Sequence, residues 1–340
     1  MISITEEEIM STWKEHSETP LVTIRCLAYN HEQYISDALD GFLMQKTDFP
    51  FEVLIHDDAS TDDTARIIKT YQDRFPNIIR AIYETENQYS KHDGSLGRIM
   101  KQNMRGKYIA YCEGDDYWTS PYKLQRQIRY MEDNPDCSMT FHAVNYVKEG
   151  SVIKNDRRSV KECDFSTDDL IRGGGFFCAT PSLCLRAEDS FCIPKYRKLS
   201  LVGDYPLQVM MSTKGRVHYF PQVMGCYRVL SIGSWSERMQ SSDNHIKHNK
   251  NGIKWLQEFD KETKGIYTNS VKYVVLKYRI GLLNIDKNKS FFKLLKDIIR
   301  FKNKSLLVIL FKTQIAYYFP FVVKIHHHVR GRLNEKKQYN

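Results

Sequence analysis

Apolar positions along the first part of the chain alternate between two rhythms. Leu21 to Ala28 is an almost unbroken apolar run introduced by Pro20, as expected of a buried strand. Tyr29-Asn30-His31 breaks it, and Ile35, Ala38, Leu39, Phe42 and Leu43 then recur at helical spacing. Phe51 to Ile55 reads as a second strand, stopped by His56-Asp57-Asp58-Ala59-Ser60. Thr61 or Asp62 is placed to cap a helix whose apolar positions are Ala65, Ile67, Ile68 and Tyr71. Ile78 to Tyr83 is a third strand. A polar stretch, 84–105, follows, and Tyr108 to Cys112 is a fourth strand, ending at Glu113-Gly114-Asp115-Asp116.

Strands alternating with helices in this order predict a parallel, doubly wound α/β sheet. Such sheets bind ligands beyond the carboxyl ends of their strands, where the three polar clusters just named fall. Further on, the pattern predicts a helix over 122–133 and a strand around 138–147. A charged surface excursion, 148–169, a turn at Gly173-Gly174-Gly175 and an apolar run over 176–186 come next. A helical stretch opens at Asp204, Val217 to Tyr227 is the last strand, and the pattern beyond 236 is helical.

Charge divides the chain more sharply than hydropathy does. The net charge is +9, yet residues 271–340 hold 16 Lys+Arg against 3 Asp+Glu, leaving the rest slightly acidic. A basic tail rich in Phe, Tyr, Leu and Ile suits an anionic membrane surface better than nucleic acid, and a basic helical subdomain that only packs on the rest is the alternative. Lys312, Gln314 and Pro320 interrupt the apolar runs of this tail, so interfacial helices are expected rather than a span. His326-His327-His328 reads as part of a charged interfacial patch and is assigned no site. The eight cysteines form no CxxC pair, which suits reduced thiols in a cytoplasmic protein. No apolar signal region follows the acidic N-terminal Glu6-Glu7-Glu8.

Three carboxylates in Glu113-Gly114-Asp115-Asp116 repel one another unless a cation sits among them. Hard oxygen ligands suit Mg²⁺ or Mn²⁺, which in turn grips a diphosphate. A solvated acidic turn would use the same residues. Asp57-Asp58 can accept bonds from a ribose hydroxyl or a base N–H, or serve an Asx turn and a helix cap. Tyr29 can stack on a base or pack. Asp204 can act as general base or as a plain N-cap, and Arg228 can bond phosphate oxygens or lie on the surface.

The segments LVTIRCLAYNHEQYI (21–35), FEVLIHDDASTDDT (51–64), GKYIAYCEGDDYW (106–118), VGDYPLQ (202–208) and YRVLSIGS (227–234) together resemble the family 2 glycosyltransferases of GT-A fold, in particular bacterial enzymes of surface-polysaccharide assembly. The resemblance spans roughly 20–235. It implies a GT-A-like, mixed and mostly parallel sheet flanked by helices over residues 1–235, with 20–118 binding the nucleotide sugar and 119–235 facing the acceptor. A helical basic extension, 236–340, lies outside it.

By the same resemblance, Leu27, Tyr29 and Asp58, helped by Asp57, meet the nucleotide. The metal-binding acidic triplet falls on Glu113, Gly114 and Asp115, with Glu113 in place of the commoner Asp. Asp116 orients donor hydroxyls and Asp204 is the base of an inverting transfer, preceded by Gly203 where an acidic residue is usual. A UDP-sugar donor, a saccharide or lipid-linked acceptor and a place at the inner face of the cytoplasmic membrane are implied. Two other readings compete. A nucleotidyltransferase would need a Gly-rich basic loop after the first strand, where Ala28-Tyr29-Asn30-His31 stands. A non-catalytic sugar-nucleotide-binding partner of a polysaccharide complex would not need the acidic clusters intact.

Overall fold

The structure, a computed structural model, describes residues 3–14, 19–231, 235–283 and 291–318. Gly233, Ser234, Pro320 and His326–His328, singled out above, lie outside the described residues. The chain divides into two compact units, Met1–Pro194 with Val202–Arg238, and Lys195–Leu201 with Met239–Asn340.

The first unit is built on one sheet of ten strands. In chain order they are β1 (Val22–Ala28), β2 (Phe51–Asp57), β3 (Ile79–Tyr83), β4 (Tyr108–Tyr111), β5 (Tyr117–Trp118), β6 (Cys137–Lys148), β7 (Ser151–Asp156), β8 (Cys163–Phe165), β9 (Cys184–Arg186) and β10 (Arg216–Arg228). The spatial order is β3-β2-β1-β4-β9-β6-β10-β5, with β7 beside β6 and β8 beside β10. β3, β2, β1 and β4 pair in parallel. β9 then runs antiparallel to both β4 and β6, and β6 is parallel to β10. Six strands therefore point one way, and the carboxyl ends of β1, β2, β4, β6 and β10 share one edge. That mixed, mostly parallel architecture is the one expected.

The apolar rhythm accounts for the layers. Val22, Ile24, Cys26 and Ala28 of β1 are buried, as is all of β2, because helices cover both faces of the sheet. The helix Ile35–Leu43 turns Ile35, Ala38, Leu39, Phe42 and Leu43 into the same core. Phe42 meets the Trp118 ring edge-on at 4.9 Å, and the buried indole N–H donates to the Pro181 carbonyl at 2.8 Å.

Several expectations shift in detail. β2 runs two residues further than Ile55, to Asp57, because His56 and Asp57 still pair with β1 and β3. The following helix is Thr64–Arg74, with Asp63 at its N-cap position making no side-chain cap bond. Asp62 instead accepts the Thr64 N–H at 3.0 Å. The polar stretch 84–105 contains the amphipathic helix Ser95–Asn103, whose buried side is Met100. The charged excursion 148–169 is not a plain loop, since it contains β7 and β8, edge strands that need only one apolar face. All eight cysteines are free thiols, and six are buried.

The second unit is helical. Ser242–Glu262 and Thr268–Leu283 pack as neighbours, with Trp255, Leu256 and Phe259 buried on the first. Helices Phe291–Arg300 and Lys304–Tyr318 add a small core of Leu294, Ile298, Leu306 and Leu310 against Leu276 and Ile280. No helix among the described residues is long and apolar enough to cross a membrane.

Candidate active site

The acidic loop after β4 is fastened to its neighbours at almost every residue. Arg25 on β1 donates to Glu113 Oε1 at 3.0 Å, and the Leu27 N–H donates to Glu113 Oε2 at 3.1 Å. Both oxygens of Glu113 are thus held by β1, so this carboxylate positions the loop. The Gly114 N–H returns the tie, donating to the Leu27 carbonyl at 2.8 Å. A Cβ at Gly114 would sit 2.8 Å from His31 Nδ1 and 3.0 Å from Ile35 Cδ1, so only glycine lets the loop lie this close to the β1 turn.

Asp115 and Asp116 are braced from β10. Ser231 Oγ donates to Asp115 Oδ2 at 2.6 Å, and the Arg228 N–H donates to Asp116 Oδ1 at 2.8 Å. The Arg228 guanidinium donates to the Asp115 carbonyl at 2.8 Å, pairs with Asp37, and lies 4.5 Å from the Tyr117 ring centroid and 5.0 Å from that of Tyr34. Oδ1 of Asp115 and Oδ2 of Asp116 receive no protein donor among the described residues. Burial, with the added charge of Asp115, pushes the Asp116 carboxyl well above the usual carboxylate range. Burial likewise raises Glu113, with Asp115 adding to the rise and Arg25 opposing it. The cluster therefore carries like-charge repulsion that a bound cation would relieve.

No group of three or more His, Cys, Asp or Glu among the described residues forms a ready-made metal cage. An ion of the Mg²⁺ or Mn²⁺ type takes one or two carboxylates and completes its shell with water and substrate phosphate. Asp115 has the chemistry for this, and Asp116 sits beside it.

The end of β2 is stitched just as closely. Asp58 accepts the N–H groups of Gln88 at 2.6 Å and Tyr89 at 3.0 Å, and its carbonyl accepts from Asn87 Nδ2 at 3.1 Å. Both Asp58 oxygens thereby fix the turn before helix Ser95–Asn103, not the helix after β2. Asp57 takes a very short bond from Ser60 Oγ, and burial raises its carboxyl above the usual range. Asn30, in left-handed backbone at φ 54°, joins the two turns: its N–H donates to Ser60 Oγ at 2.9 Å and its Oδ1 accepts the Thr61 N–H at 2.8 Å. Tyr29 stands beside this seam, 44% exposed.

His31 links the two turns electrically. Burial holds its imidazole below the ordinary histidine range, against the pull of Asp115, Asp62 and Asp57.

Asp204 occupies the first position of helix Asp204–Ser212, one residue past the N-cap position held by Gly203. Its Oδ1 accepts the Tyr205 N–H at 2.7 Å, and burial raises its carboxyl above the usual range. Its charge, with those of Asp116 and Asp115, bears on the Tyr227 hydroxyl, whose own acidity is suppressed chiefly by burial. Tyr227 meets Phe176 edge-on at 6.4 Å, and Phe176 is 45% exposed. The turn that carries Phe176 has Gly174 at φ 76° and is gripped by Arg158, which donates to the Phe177 carbonyl at 2.8 Å and to Asp156 at 2.6 Å.

Of the residues picked out in the sequence, Leu27, Glu113, Gly114, Asp115, Asp116 and Arg228 meet directly. Asp57 is tied to Asn30 through Ser60, Asp58 is bonded to Gln88 and Tyr89, and Asp204 makes no hydrogen bond with the cluster among the described residues. Arg25, His31, Asp37, Ser231 and Phe176 are additions from the geometry. Arg25 carried a signal: a lone charge inside an apolar strand needs a partner.

The mixed, mostly parallel sheet with carboxylates at its carboxyl edge has the architecture of the GT-A fold. Residues 26–191 match the model of Glycosyl transferase family 2. An uncharacterized protein of Mycobacterium tuberculosis H37Rv is 35% identical over 215 residues, covering 63% of this chain and 60% of that protein. The chain thus spans about three-fifths of that relative's length. The Escherichia coli UDP-Glc:alpha-D-GlcNAc-diphosphoundecaprenol beta-1,3-glucosyltransferase WfaP is 29% identical over 196 residues, 57% of this chain and 71% of that one. Among solved structures, S. aureus TarS 1-349 in complex with UDP-GlcNAc shares the fold, with a TM-score of 0.57 at 13% identity over 85% of this chain and 83% of that one.

Proposed function

We propose that this protein transfers a sugar from a nucleoside-diphosphate donor, UDP-linked like the donor of WfaP and the sugar nucleotide bound to TarS, to an acceptor hydroxyl in surface-polysaccharide synthesis. The observation that carries the reading is the paired Asp115 and Asp116, crowded by like charge and each keeping one oxygen without a protein donor among the described residues. Asp115, with Asp116 beside it, would hold a divalent cation; Glu113 braces the loop. When bound, that ion would offset charge on the departing diphosphate.

The protein's own groups do the rest. Tyr29 stacks on the base, while Leu27, Asp57 and Asp58 frame the nucleotide. Gly114 keeps the floor low enough for the diphosphate, and Arg228 adds positive charge beside it. Asp204, ionised, takes the proton of the acceptor hydroxyl as that oxygen attacks the anomeric carbon. The donor's glycosidic bond breaks with its electron pair leaving on the diphosphate, so configuration inverts in one displacement. Phe176 offers an aromatic face to the acceptor sugar. The acceptor is a saccharide or lipid-linked saccharide, as WfaP's name states for its own acceptor, met at the inner face of the cytoplasmic membrane.

A panel of UDP-, GDP- and dTDP-sugars, screened for thermal stabilisation with Mn²⁺ present, tests this. A UDP-sugar should stabilise the protein only with the metal, and Asp115→Asn should abolish that dependence. If no nucleotide sugar stabilises it with any divalent ion, the reading fails.

A further inference from the structure

We propose that the outward face of helices Phe291–Arg300 and Lys304–Tyr318 is a docking surface for an anionic lipid bilayer; the purpose of such docking rests on the function proposed above. These helices already have a core: Leu294, Ile298, Leu306 and Leu310 close on Leu276 and Ile280. A second apolar set points away from it. Phe292 is 79% exposed and Ile299 56%, seven residues apart on one helical face, with Lys296 between them. Val308 and Phe311 repeat the arrangement on the next helix, each about half exposed. One exposed apolar side chain is ordinary, but four on the outward faces of two neighbouring helices form a patch of the kind that marks an interaction surface.

Charge says which partner. Lys293, Lys296, Arg300, Lys302, Lys304 and Lys312 surround these side chains, against the single acid Asp297, itself 3.7 Å from Arg279. Apolar wedges set among lysines are the signature of a helix lying in an anionic interface, rings below the headgroups and ammonium groups among the phosphates. The chain's own tail is a poor occupant, since residues 319–340 carry five Lys+Arg against one Glu. A second copy meeting this face with the same face would set like charge on like.

Full-length protein sedimented with vesicles of equal phosphatidylglycerol and phosphatidylcholine tests the assignment without any sugar transfer. The protein should partition onto them at low salt, and pure phosphatidylcholine should bind it at least tenfold less. Phe292→Glu with Ile299→Glu should lower the partition coefficient at least tenfold. Lys293→Gln with Lys296→Gln should lower it by about fivefold for each charge. All four positions are exposed, and far-ultraviolet circular dichroism checks that the variants fold. Absence of binding overturns the proposal. So does binding that the lysine pair weakens while Phe292→Glu with Ile299→Glu does not, which would mark a charge-only surface of the kind nucleic acid uses. Vesicle binding by a protein that no nucleotide sugar stabilises would sink the transferase reading and leave this surface standing.

Discussion

The turns at the ends of β2 and β4 contain the same kind of residue and use it in different ways. At the β2 end, Asp58 gives both oxygens to backbone N–H groups of Gln88 and Tyr89. Its job there is geometry. Around the β4 end, Glu113 gives one oxygen to the Arg25 guanidinium and the other to the Leu27 N–H, but Asp115, Asp116 and Asp204 each take a single donor among the described residues and sit half-buried or deeper. A carboxylate with full hydrogen bonding is a fixed strut. One that is desolvated, crowded and only half satisfied holds its free energy ready for a ligand or a proton. Asp58 and Glu113 should therefore report mainly on stability, and Asp115, Asp116 and Asp204 on chemistry.

The sharpest break in that comparison comes at Asp204. Replacing it with Asn keeps the shape and an acceptor for the Tyr205 N–H while removing the base, so transfer should fall by about 10³-fold with nucleotide binding intact. Because burial raises this carboxyl, the acid limb of the wild-type rate profile should lie above the ordinary aspartate range near ~4. The base form is lost as pH falls through the raised value. Initial rates of nucleotide release with acceptor present, taken across pH, measure both. Full activity in Asp204→Asn would remove this residue from the mechanism.

A second contrast lies beneath the β4 turn, where Lys123 is wholly buried. Its ammonium donates to Gln127 Oε1 at 2.7 Å and stands 4.1 Å from the Trp118 ring centroid. Burial lowers it from 10.5 to about 8, equivalent to about 3 kcal/mol. Between those values the unfolded chain keeps a proton that the folded one has released, so this group makes stability rise with pH there; below about 8 its full cost is present. Buried tyrosines and thiols such as Tyr71 and Cys184 work in the opposite sense. The difference between urea-unfolding free energies of wild type and Lys123→Met, followed from pH 7 to 11, isolates the lysine. A flat difference curve would mean that water reaches it.

At the β2 turn, Asp58→Ala should act through the fold. It leaves the buried Gln88 N–H and the neighbouring Tyr89 N–H without their acceptor, at about 2 kcal/mol. Unfolding measured without nucleotide should show that loss. If stability were unchanged while nucleotide affinity collapsed, the distinction between strut and ligand would fail at its clearest residue.

The sheet and the location of the acidic loops were legible because strand alternation and turn chemistry are local properties. β7 and β8 were not, because short edge strands need no apolar rhythm of their own, and Ser95–Asn103 buries only Met100. The sites were legible as clusters but not as roles. Asp57-Asp58 and Glu113-Asp115-Asp116 look alike as strings; which oxygen meets Gln88, Leu27 or Arg228 is decided by residues 30 to 112 positions away. Phe176 had no signal at all, since its exposure depends on Arg158 gripping the glycine turn.

The smallest effect sharpens the contrast from within the β2 turn. Ala59, between Asp58 and Ser60, sits at φ 63°, a left-handed conformation that sets its Cβ against its own backbone. The strain persists because the bonds on either side determine the turn: Asp58 N–H to the Ala28 carbonyl at 2.9 Å, and Ser60 Oγ to Asp57. Glycine adopts this conformation freely but loses more entropy on folding. The balance should favour Ala59→Gly by about 0.5–1 kcal/mol, read as a rise in unfolding midpoint. If the turn is held as a strut, nucleotide affinity should not change, because Asp57 and Asp58 are already held in place by their neighbours. A gain in stability accompanied by weaker nucleotide binding would instead mean that the strained alanine itself aims the two carboxylates, and that geometry and chemistry are not separable even here.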